Sequence, residues 1–284
     1  MSVIMKGQEV AGAMKVKLQQ QALDLKEKGI EPHLAIVRIG ARPEDLAYER
    51  GARKRMDSIG IASTVFEFPE DIKQEAFEEE FKKINDNEAV HGILLFRPLP
   101  KHLNEEPLKE IINPLKDIDS MGPINIAKVF SGDPSGFAPC TPEAVMEMLE
   151  YYNIDLTGKK VVVLGRSMVV GKPLSMLLLK KNATVTICHT KTKNLEKVLR
   201  DAEIVIAAAG KAKIVSELMI GAGAVVVDVG INVDEEGKLC GDVDYEKVEG
   251  KASFITPVPG GVGSVTSSVL AKHVILAAKY LNFI

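Results

Sequence analysis

The sequence has few cysteines, no tryptophan and no long apolar run. Its three cysteines, Cys140, Cys188 and Cys240, are too few and too scattered for a disulfide framework or a CxxC metal site. The first twenty residues mix charged with apolar side chains and lack the continuous apolar core of a signal peptide. No run approaches the roughly 18–20 apolar residues of a membrane span. We therefore expect a soluble protein of the reducing cytoplasm, with no membrane partner.

An excess of charge of one sign is also missing. Lys plus Arg is 36 and Asp plus Glu is 39, so a net charge of −3 gives no electrostatic reason to expect nucleic-acid binding. The five histidines show neither HxxxH nor HxH spacing, and we predict no metal site. What is present is a chain of 284 residues, 46% of them apolar, which exceeds the common single-domain size of about 100–150 residues. Two domains and small-molecule chemistry are favoured.

Short β-rich runs alternate with helix-period segments from end to end, a pattern typical of parallel strands connected by crossover helices. The predicted strands are 33–39, 62–68, 92–96, 159–164, 183–188, 203–208, 224–229 and 253–256, and the predicted helices are 7–28, 43–58, 72–85, 142–152 and 267–281. A stretch rich in Pro, Gly, Asp and Ser, 113–142, separates the two sets of strands. The sequence therefore predicts an α/β protein with two domains and a parallel sheet.

A glycine-containing turn follows the predicted strand 159–164. It runs Gly165-Arg166-Ser167-Met168-Val169-Val170-Gly171-Lys172-Pro173 into an apolar helical pattern. The spacing fits neither GxGxxG nor a P-loop, and GxSxG would need a glycine at position 169. Two interpretations stay open: a non-standard dinucleotide-binding turn, in which small residues let N–H groups approach a phosphate, and a plain β–α turn whose glycines relieve steric crowding.

The end of the next predicted strand distinguishes between dinucleotides. An NAD-binding fold places an acidic residue there to bind the ribose 2′-hydroxyl, whereas this chain reads Cys188-His189-Thr190-Lys191-Thr192. Together with Arg166 in the first turn, these side chains could bind a 2′-phosphate by donating hydrogen bonds to it, which favours NADP over NAD. The alternative is that the lysines of this loop are ordinary solvated charges.

Two further groups of residues could bind a ligand. Asp117 and Asp119 lie on the same side if the chain is extended, and they could bind a polar heterocycle or share a proton. A solvated pair of loop carboxylates is the alternative. Tyr48, Ala52 and Arg55 share one face of a predicted helix, either near an anionic ligand or simply at the surface.

Several strings occur in the order found in one enzyme family. They are Tyr48 ahead of Arg53-Lys54, Pro98-Leu99-Pro100, Lys116-Asp117-Ile118-Asp119, Pro139-Cys140-Thr141-Pro142, the Gly165–Pro173 turn, Asp228-Val229-Gly230-Ile231-Asn232, Gly241-Asp242-Val243-Asp244, and Thr256-Pro257-Val258-Pro259-Gly260-Gly261-Val262-Gly263. In these strings the chain resembles the bifunctional methylenetetrahydrofolate dehydrogenase/cyclohydrolase family. The resemblance covers nearly the whole sequence.

The resemblance implies two domains with different ligands, and a reaction. Residues 1–140 with 266–284 would form a folate-binding catalytic domain, and 141–265 a Rossmann-like NAD(P)-binding domain, in a homodimer joined through the cofactor domains. A hydride would pass from 5,10-methylenetetrahydrofolate to the nicotinamide of NADP. Bifunctional members then hydrolyse the methenyl product to 10-formyltetrahydrofolate.

The resemblance also implies roles for individual residues. Tyr48 and Asp119 would be catalytic and would bind folate, Tyr48 by lining the pocket and Asp119 by holding the pterin ring. The other implied substrate-binding residues are Pro257, Gly260, Gly261 and Val262. The implied cofactor-binding residues are Gly165, Arg166, Ser167, Gly171, Pro173, His189, Thr190 and Ile231.

Two positions depart from the family pattern. Ala52 stands where the family carries its catalytic lysine, four residues after the tyrosine, and Phe96 stands in place of a glutamine that works with it. Hydride transfer chiefly needs two rings to be aligned, whereas hydrolysis needs a proton carrier. We therefore expect dehydrogenase activity with weak or absent cyclohydrolase activity, unless Arg53 or Lys54 compensates.

Two other classes of function remain possible at this point. One is a dehydrogenase of another small substrate, of the shikimate or amino-acid type, which would explain the Gly165–Pro173 turn but not the segment Pro257–Gly263. The other is a non-catalytic folate- or nucleotide-binding protein, a possibility raised by the changes at Ala52 and Phe96.

Overall fold

A computed structural model describes residues 2–284 as two compact units. The six-strand unit comprises the described residues up to Gly12 together with Thr141–Thr266, and the three-strand unit comprises Ala13–Cys140 together with Ser267–Ile284. Each unit combines helices with its own parallel sheet. The predicted two-domain α/β class is confirmed.

The six-strand unit is built on one fully parallel sheet. In the order of the sheet its strands are β1 (Val3–Ile4), β11 (Phe254–Ile255), β8 (Val225–Asp228), β7 (Ile204–Ala207), β5 (Lys160–Leu164) and β6 (Thr184–Cys188). Its helices are α6 (Cys140–Tyr151), α7 (Gly171–Lys180), α8 (Leu195–Arg200) and α9 (Tyr245–Val248), with 3₁₀ turns at Glu217–Met219 and Val262–Ser264 and a hairpin of β9 (Asn232–Val233) and β10 (Leu239–Cys240). The central strands β7 and β8 are buried along their whole length, as their unbroken apolar runs predict.

The three-strand unit carries a smaller parallel sheet. Its strands are, in the order of the sheet, β3 (Ala62–Phe68), β2 (His33–Ile39) and β4 (Gly92–Leu95). Its helices are α2 (Pro43–Ile59), α3 (Gln74–Asp86), α4 (Glu106–Ile111) and α5 (Pro123–Ser131), joined by α1 (Gly7–Glu27) and α10 (Thr266–Leu281), which each begin in residues of the other unit. Phe77 and Phe81, one turn apart on α3, are fully buried against the sheet. The acidic side chains between them lie on the outer face, as an amphipathic helix requires.

The observed division of the chain differs from the predicted one at the amino terminus. We expected residues 1–140 to lie in one domain, but the described residues up to Gly12 belong to the six-strand unit. The reason is backbone pairing: β1 joins β11, and the N–H groups of Val3 and Met5 donate to the carbonyls of Ser253 and Ile255, each at 2.8 Å. What each unit binds stays a prediction at this point.

The histidine at the start of β4 makes the three-strand unit sensitive to acid. His91 is buried, and among residues 2–284 no hydrogen-bond partner reaches its Nδ1. Burial, and then the nearby charges of His33 and Lys116, lower its pKa below the usual value near 6.5. The unfolded chain therefore takes up a proton before the folded chain does. Stability should fall as the pH drops below about 6.5.

We expect the substitution His91→Gln to remove part of this acid sensitivity. Between pH 7.5 and 5 the Tm of the variant should fall less than that of the unaltered protein, by a few degrees, because 1 kcal/mol corresponds to about 2–4 °C at this size. Thermal unfolding followed by circular dichroism measures the effect. His102→Gln is the control, since His102 is exposed. Parallel pH curves for the protein and the His91 variant would contradict the assignment.

Candidate active site

The predicted catalytic tyrosine lies on α2, the helix that follows β2. Pro43 opens this helix, and Gly60 ends it in the left-handed conformation with φ of 90°. The ring of Tyr48 lies 5.5 Å from the ring of Phe96, centroid to centroid. One turn further along α2, Ala52 is fully buried. The structure therefore places the Phe96 ring beside Tyr48, and Ala52 one turn after Tyr48 on the same helix.

The Tyr48 hydroxyl is held in its neutral form. Although 41% of the residue surface remains accessible, desolvation raises its pKa, and the nearby Cys140 and Asp119 raise it further. A neutral phenol is both a donor and an acceptor of hydrogen bonds. Tyr48 can therefore orient a polar ligand but cannot act as a base near neutral pH.

The two aspartates that follow β4 have different tasks. Asp117 is buried, and its carboxylate accepts the N–H groups of Met121 and Gly122 and the side-chain amide of Asn125, at 2.8, 3.0 and 3.1 Å. Burial raises the pKa of Asp117, and these hydrogen bonds oppose the rise. The Asp117 carboxylate is thus occupied by contacts within its own loop. This leaves Asp119 as the carboxylate of the pair that is available to a ligand.

Asp119 is partly exposed, and its two oxygens differ in their neighbours. Oδ1 accepts the backbone N–H of Cys140 at 2.8 Å, and Oδ2 lies 4.0 Å from a terminal nitrogen of Arg97. Arg97 directly follows Phe96 and has a side chain that is 23% exposed. This cation beside Asp119 was not among the predicted site residues. Its position in the sequence, next to Phe96, is the one signal that could have identified it.

A buried ion pair fixes α2 against the sheet. Arg38, in β2, donates from Nε to Glu49 and from Nη2 to Glu67 of β3, both at 2.7 Å. Glu49 directly follows Tyr48, and both Arg38 and Glu49 are buried. The pair also lies outside the predicted site residues. It ties α2, one residue after Tyr48, to strands β2 and β3.

The glycine turn after β5 is tightly packed, as a phosphate-binding turn requires. A Cβ atom on Gly165 would lie 2.1 Å from the carbonyl oxygen of Ala208, and one on Gly171 would lie 2.1 Å from the carbonyl oxygen of Gly165. The N–H of Val170 donates to the Ser167 hydroxyl at 3.1 Å. Within the first turn of α7, Pro173 has no N–H group, and the N–H of Lys172 donates to the carbonyl of Ser167 at 3.0 Å, so an anion would be held mainly by the N–H groups of the turn itself.

The other predicted cofactor residues lie at the same edge of the sheet. His189 and Thr190 follow β6, where the N–H of Lys191 donates to His189 Nδ1 at 3.1 Å. Arg166, Ser167 and Thr190 are exposed. The segment that follows β6 contains no carboxylate before Glu196. These residues fit a dinucleotide that carries a 2′-phosphate better than one with a free 2′-hydroxyl.

A small cavity collects the remaining predicted residues of the six-strand unit. Its volume is about 220 Å³, and its lining includes Ile231, Pro257, Gly260, Gly261 and Val262. Pro173, by contrast, is buried in the first turn of α7 and shapes the turn rather than offering a polar contact. The structure thus brings the predicted residues together in two groups, one in each unit.

Two further findings concern metal ions and membranes. Across residues 2–284, no group of three or more His, Cys, Asp or Glu side chains is arranged to hold a metal ion. Within the same part of the chain, every helix is too short or too polar to span a bilayer.

Comparison with known proteins gives matches over almost the whole chain. Residues 5–119 match the model described as the tetrahydrofolate dehydrogenase/cyclohydrolase catalytic domain, and residues 139–282 match the NAD(P)-binding domain of the same family. A curated relative, the bifunctional protein FolD of Clostridioides difficile, is 60% identical over 279 residues, which cover 98% of this chain and 97% of the relative.

Solved structures agree with the sequence matches. The bifunctional FolD enzyme of Campylobacter jejuni is 40% identical and superimposes with a TM-score of 0.96, covering 99% of each chain. The Trypanosoma brucei methylenetetrahydrofolate dehydrogenase-cyclohydrolase, solved with NADP and an inhibitor, is 36% identical with a TM-score of 0.92, covering 98% of each chain.

Proposed function

Since this chain belongs to the tetrahydrofolate dehydrogenase/cyclohydrolase family, we propose that it oxidises 5,10-methylenetetrahydrofolate with NADP and hydrolyses the methenyl product weakly or not at all. The dehydrogenase half of the proposal is supported by the matched family models and by the relatives, which are named as dehydrogenase/cyclohydrolases. The family assignment sets aside a shikimate-type or amino-acid-type dehydrogenase.

NADP, when bound, supplies the acceptor for the hydride, and the residues of the six-strand unit hold it. The turn from Gly165 to Gly171 offers backbone N–H groups to the pyrophosphate. Arg166, Thr190 and Lys191 offer donors to the 2′-phosphate. The packing of the two glycines supports this role, because a side chain at either position would clash with neighbouring backbone and displace the turn.

Tyr48 and Asp119 orient the folate in this proposal. Asp119 presents a carboxylate, fixed at one oxygen by the N–H of Cys140, to the N–H edge of the pterin. Tyr48 lines the pocket as a neutral hydrogen-bonding group. The lone pair of a folate nitrogen drives hydride departure, so orientation is sufficient and no residue has to take a proton in this step.

The observation that carries the cyclohydrolase half of the proposal is the fully buried Ala52 one turn after Tyr48, with the Phe96 ring against the tyrosine. Ring opening after addition of water needs a group that moves a proton, typically worth about 10²–10⁴-fold. A methyl group and a phenyl ring cannot do this.

The cationic residues near Ala52 are poor substitutes for the catalytic lysine that the family carries at this position. The guanidinium groups of Arg97 and Arg55 stay protonated in proteins and cannot serve as bases. Arg53 and Lys54 are exposed, and they lie about 100° and 200° around α2 from position 52. Arg53 also lies 3.9 Å from Glu49. A fully bifunctional enzyme that uses one of these cations is the alternative, because the relatives are named bifunctional.

The test follows both half-reactions of the purified protein. With methylenetetrahydrofolate and NADP, the methenyl product should accumulate and disappear at the uncatalysed rate, and the reaction should be slower with NAD. Conversion to 10-formyltetrahydrofolate well above the uncatalysed rate would refute the loss of cyclohydrolase activity. Absence of reduced cofactor under all conditions would favour a non-catalytic binding protein instead.

The homodimer also remains a proposal. The resemblance places its interface in the cofactor domains, and β6 is an edge strand of the six-strand sheet with Thr184, Thr186 and Ile187 exposed. An open edge of this kind is available for pairing with a second copy. Analytical ultracentrifugation gives the oligomeric state directly.

A further inference from the structure

The motif 241–244 contains a carboxylate that the proposed reaction does not use. Asp242 has no exposed surface. Its Oδ1 accepts the N–H of Lys211 at 2.8 Å and the side-chain amide of Asn232 at 2.9 Å. Its Oδ2 accepts the N–H groups of Ala209 and Gly210. Four donors from two segments of the chain, the loop after β7 and the start of β9, therefore converge on the two oxygens of one side chain.

A second buried carboxylate holds Asp242 in place. Asp228, at the end of β8, accepts the N–H groups of Gly230, Asp242 and Val243 at 2.9, 3.0 and 2.8 Å. A Cβ atom on Gly241 would lie 1.9 Å from Asp228 Oδ2. Glycine is therefore needed there so that the backbone of the motif can approach the carboxylate.

The two loops tied by Asp242 lie where a parallel sheet of this kind binds its nucleotide. Ala209 to Lys211 follow the carboxyl end of β7, and Asn232 follows that of β8, directly after Ile231. Ligands of open α/β sheets bind outside the carboxyl ends of the strands. The first loop also touches the phosphate turn, because Gly165 packs on the carbonyl of Ala208.

We infer that Asp242 is a positioning residue for the dinucleotide: its carboxylate holds the loop after β7 and the loop after β8 in the arrangement that accepts NADP. This inference rests on the proposed cofactor. Asp242 lies behind the backbone of both loops and acts through them. A shift of either loop would displace Ile231 or the wall of the phosphate turn.

The substitution Asp242→Asn tests the inference with little change of size. An asparagine offers one acceptor oxygen and turns its own N–H groups toward backbone N–H groups. Because two of the four donors would then face an N–H group instead of an acceptor oxygen, the loops should shift, and NADP affinity, measured by calorimetry, should fall roughly tenfold or more. Binding of tetrahydrofolate, measured in the same way, should be unchanged.

Asp244→Asn is the matched control, two residues further along the same motif. The Asp244 carboxylate pairs with the exposed Lys247 at 2.7 Å, so this variant should bind NADP as the unaltered protein does. A variant Asp242→Asn that is less stable but has unchanged NADP affinity would overturn the inference and leave a purely structural role. If neither the unaltered protein nor the control binds NADP, the proposed function fails instead.

A milder variant decides the question if Asp242→Asn does not fold. Asn232→Ala removes one of the four donors and leaves the carboxylate in place. The loss of one hydrogen bond should weaken NADP binding about threefold or more, again with unchanged tetrahydrofolate binding. Equal NADP affinity in this variant and the unaltered protein would overturn the inference.

Discussion

The double substitution Ala52→Lys with Phe96→Gln should raise the cyclohydrolase rate by roughly 10²–10⁴-fold. Position 52 lies one turn after Tyr48, and position 96 contacts the tyrosine ring. The new ammonium group would therefore enter beside the tyrosine, and the new amide would give it a polar partner. Dehydrogenase kcat should change little, because hydride transfer depends on alignment rather than on a proton carrier.

The single variants should separate the two contributions. Ala52→Lys alone places an ammonium group in a fully buried position next to an apolar ring, which lowers its pKa and costs stability. Its gain in hydrolysis should be smaller than that of the double variant. Phe96→Gln alone adds no proton carrier and should leave hydrolysis at the uncatalysed rate.

The measurement is the rate at which the methenyl absorbance disappears in the presence of enzyme, compared with the rate without enzyme. Ala47→Lys combined with Phe96→Gln is the control, since Ala47 is exposed on the same helix and adds a lysine elsewhere on it. A folded double variant that hydrolyses no faster than the control would mean that positions 52 and 96 do not explain the missing activity.

The regular part of the fold could be predicted from the sequence. Strands β2 and β3 begin and end where expected, because both are β-rich runs bounded by turn residues, even though β2 is buried and β3 is only partly buried. Strand β1 could not be predicted. It has two residues, too few for any periodicity, and it exists only because residues about 250 positions away offer an edge.

The candidate site likewise contains features that the sequence predicts and features that it does not. The position of Ala52 one turn after Tyr48 follows from helical spacing, which is a local property, whereas its burial does not. The pair of Arg38 and Glu49 and the convergence of four donors on Asp242 depend on contacts between distant segments. Arg38 inside an apolar strand indicates in the sequence that a charged partner is needed, but it does not identify Glu49 as that partner.

The substitution Gly165→Ala should weaken NADP binding by roughly 10²-fold, while tetrahydrofolate still binds. The added Cβ would lie 2.1 Å from the carbonyl oxygen of Ala208, a backbone atom that cannot rotate away. Gly165 also has φ of 137°, which side-chain-bearing residues rarely adopt. The turn must therefore shift, and the loss of a hydrogen bond to a charged phosphate, at about 1.5–3 kcal/mol, weakens binding by up to about 10²-fold.

Calorimetric titration with NADP measures the loss, and circular dichroism establishes that the variant is folded. Gly12→Ala is the control. Apart from the neighbouring backbone of helix α1, a Cβ at Gly12 would meet no atom of residues 2–284 within 4 Å, and alanine is favoured inside a helix by up to about 1 kcal/mol. Unchanged NADP affinity in the folded Gly165 variant would show that the turn after β5 does not hold the cofactor.

Gly165→Ala and the double substitution Ala52→Lys with Phe96→Gln probe different units, and a protein that carries all three changes tests the proposal further. Tyr48, Ala52 and Asp119 belong to the three-strand unit, whereas Gly165 belongs to the six-strand unit. If the proposal is right, Gly165→Ala slows hydride transfer at a fixed NADP concentration by weakening the binding of the acceptor, yet added methenyltetrahydrofolate is still hydrolysed by a protein that also carries Ala52→Lys and Phe96→Gln. Hydrolysis uses no dinucleotide, so only a site in which proton transfer depends on the three-strand residues predicts that combination.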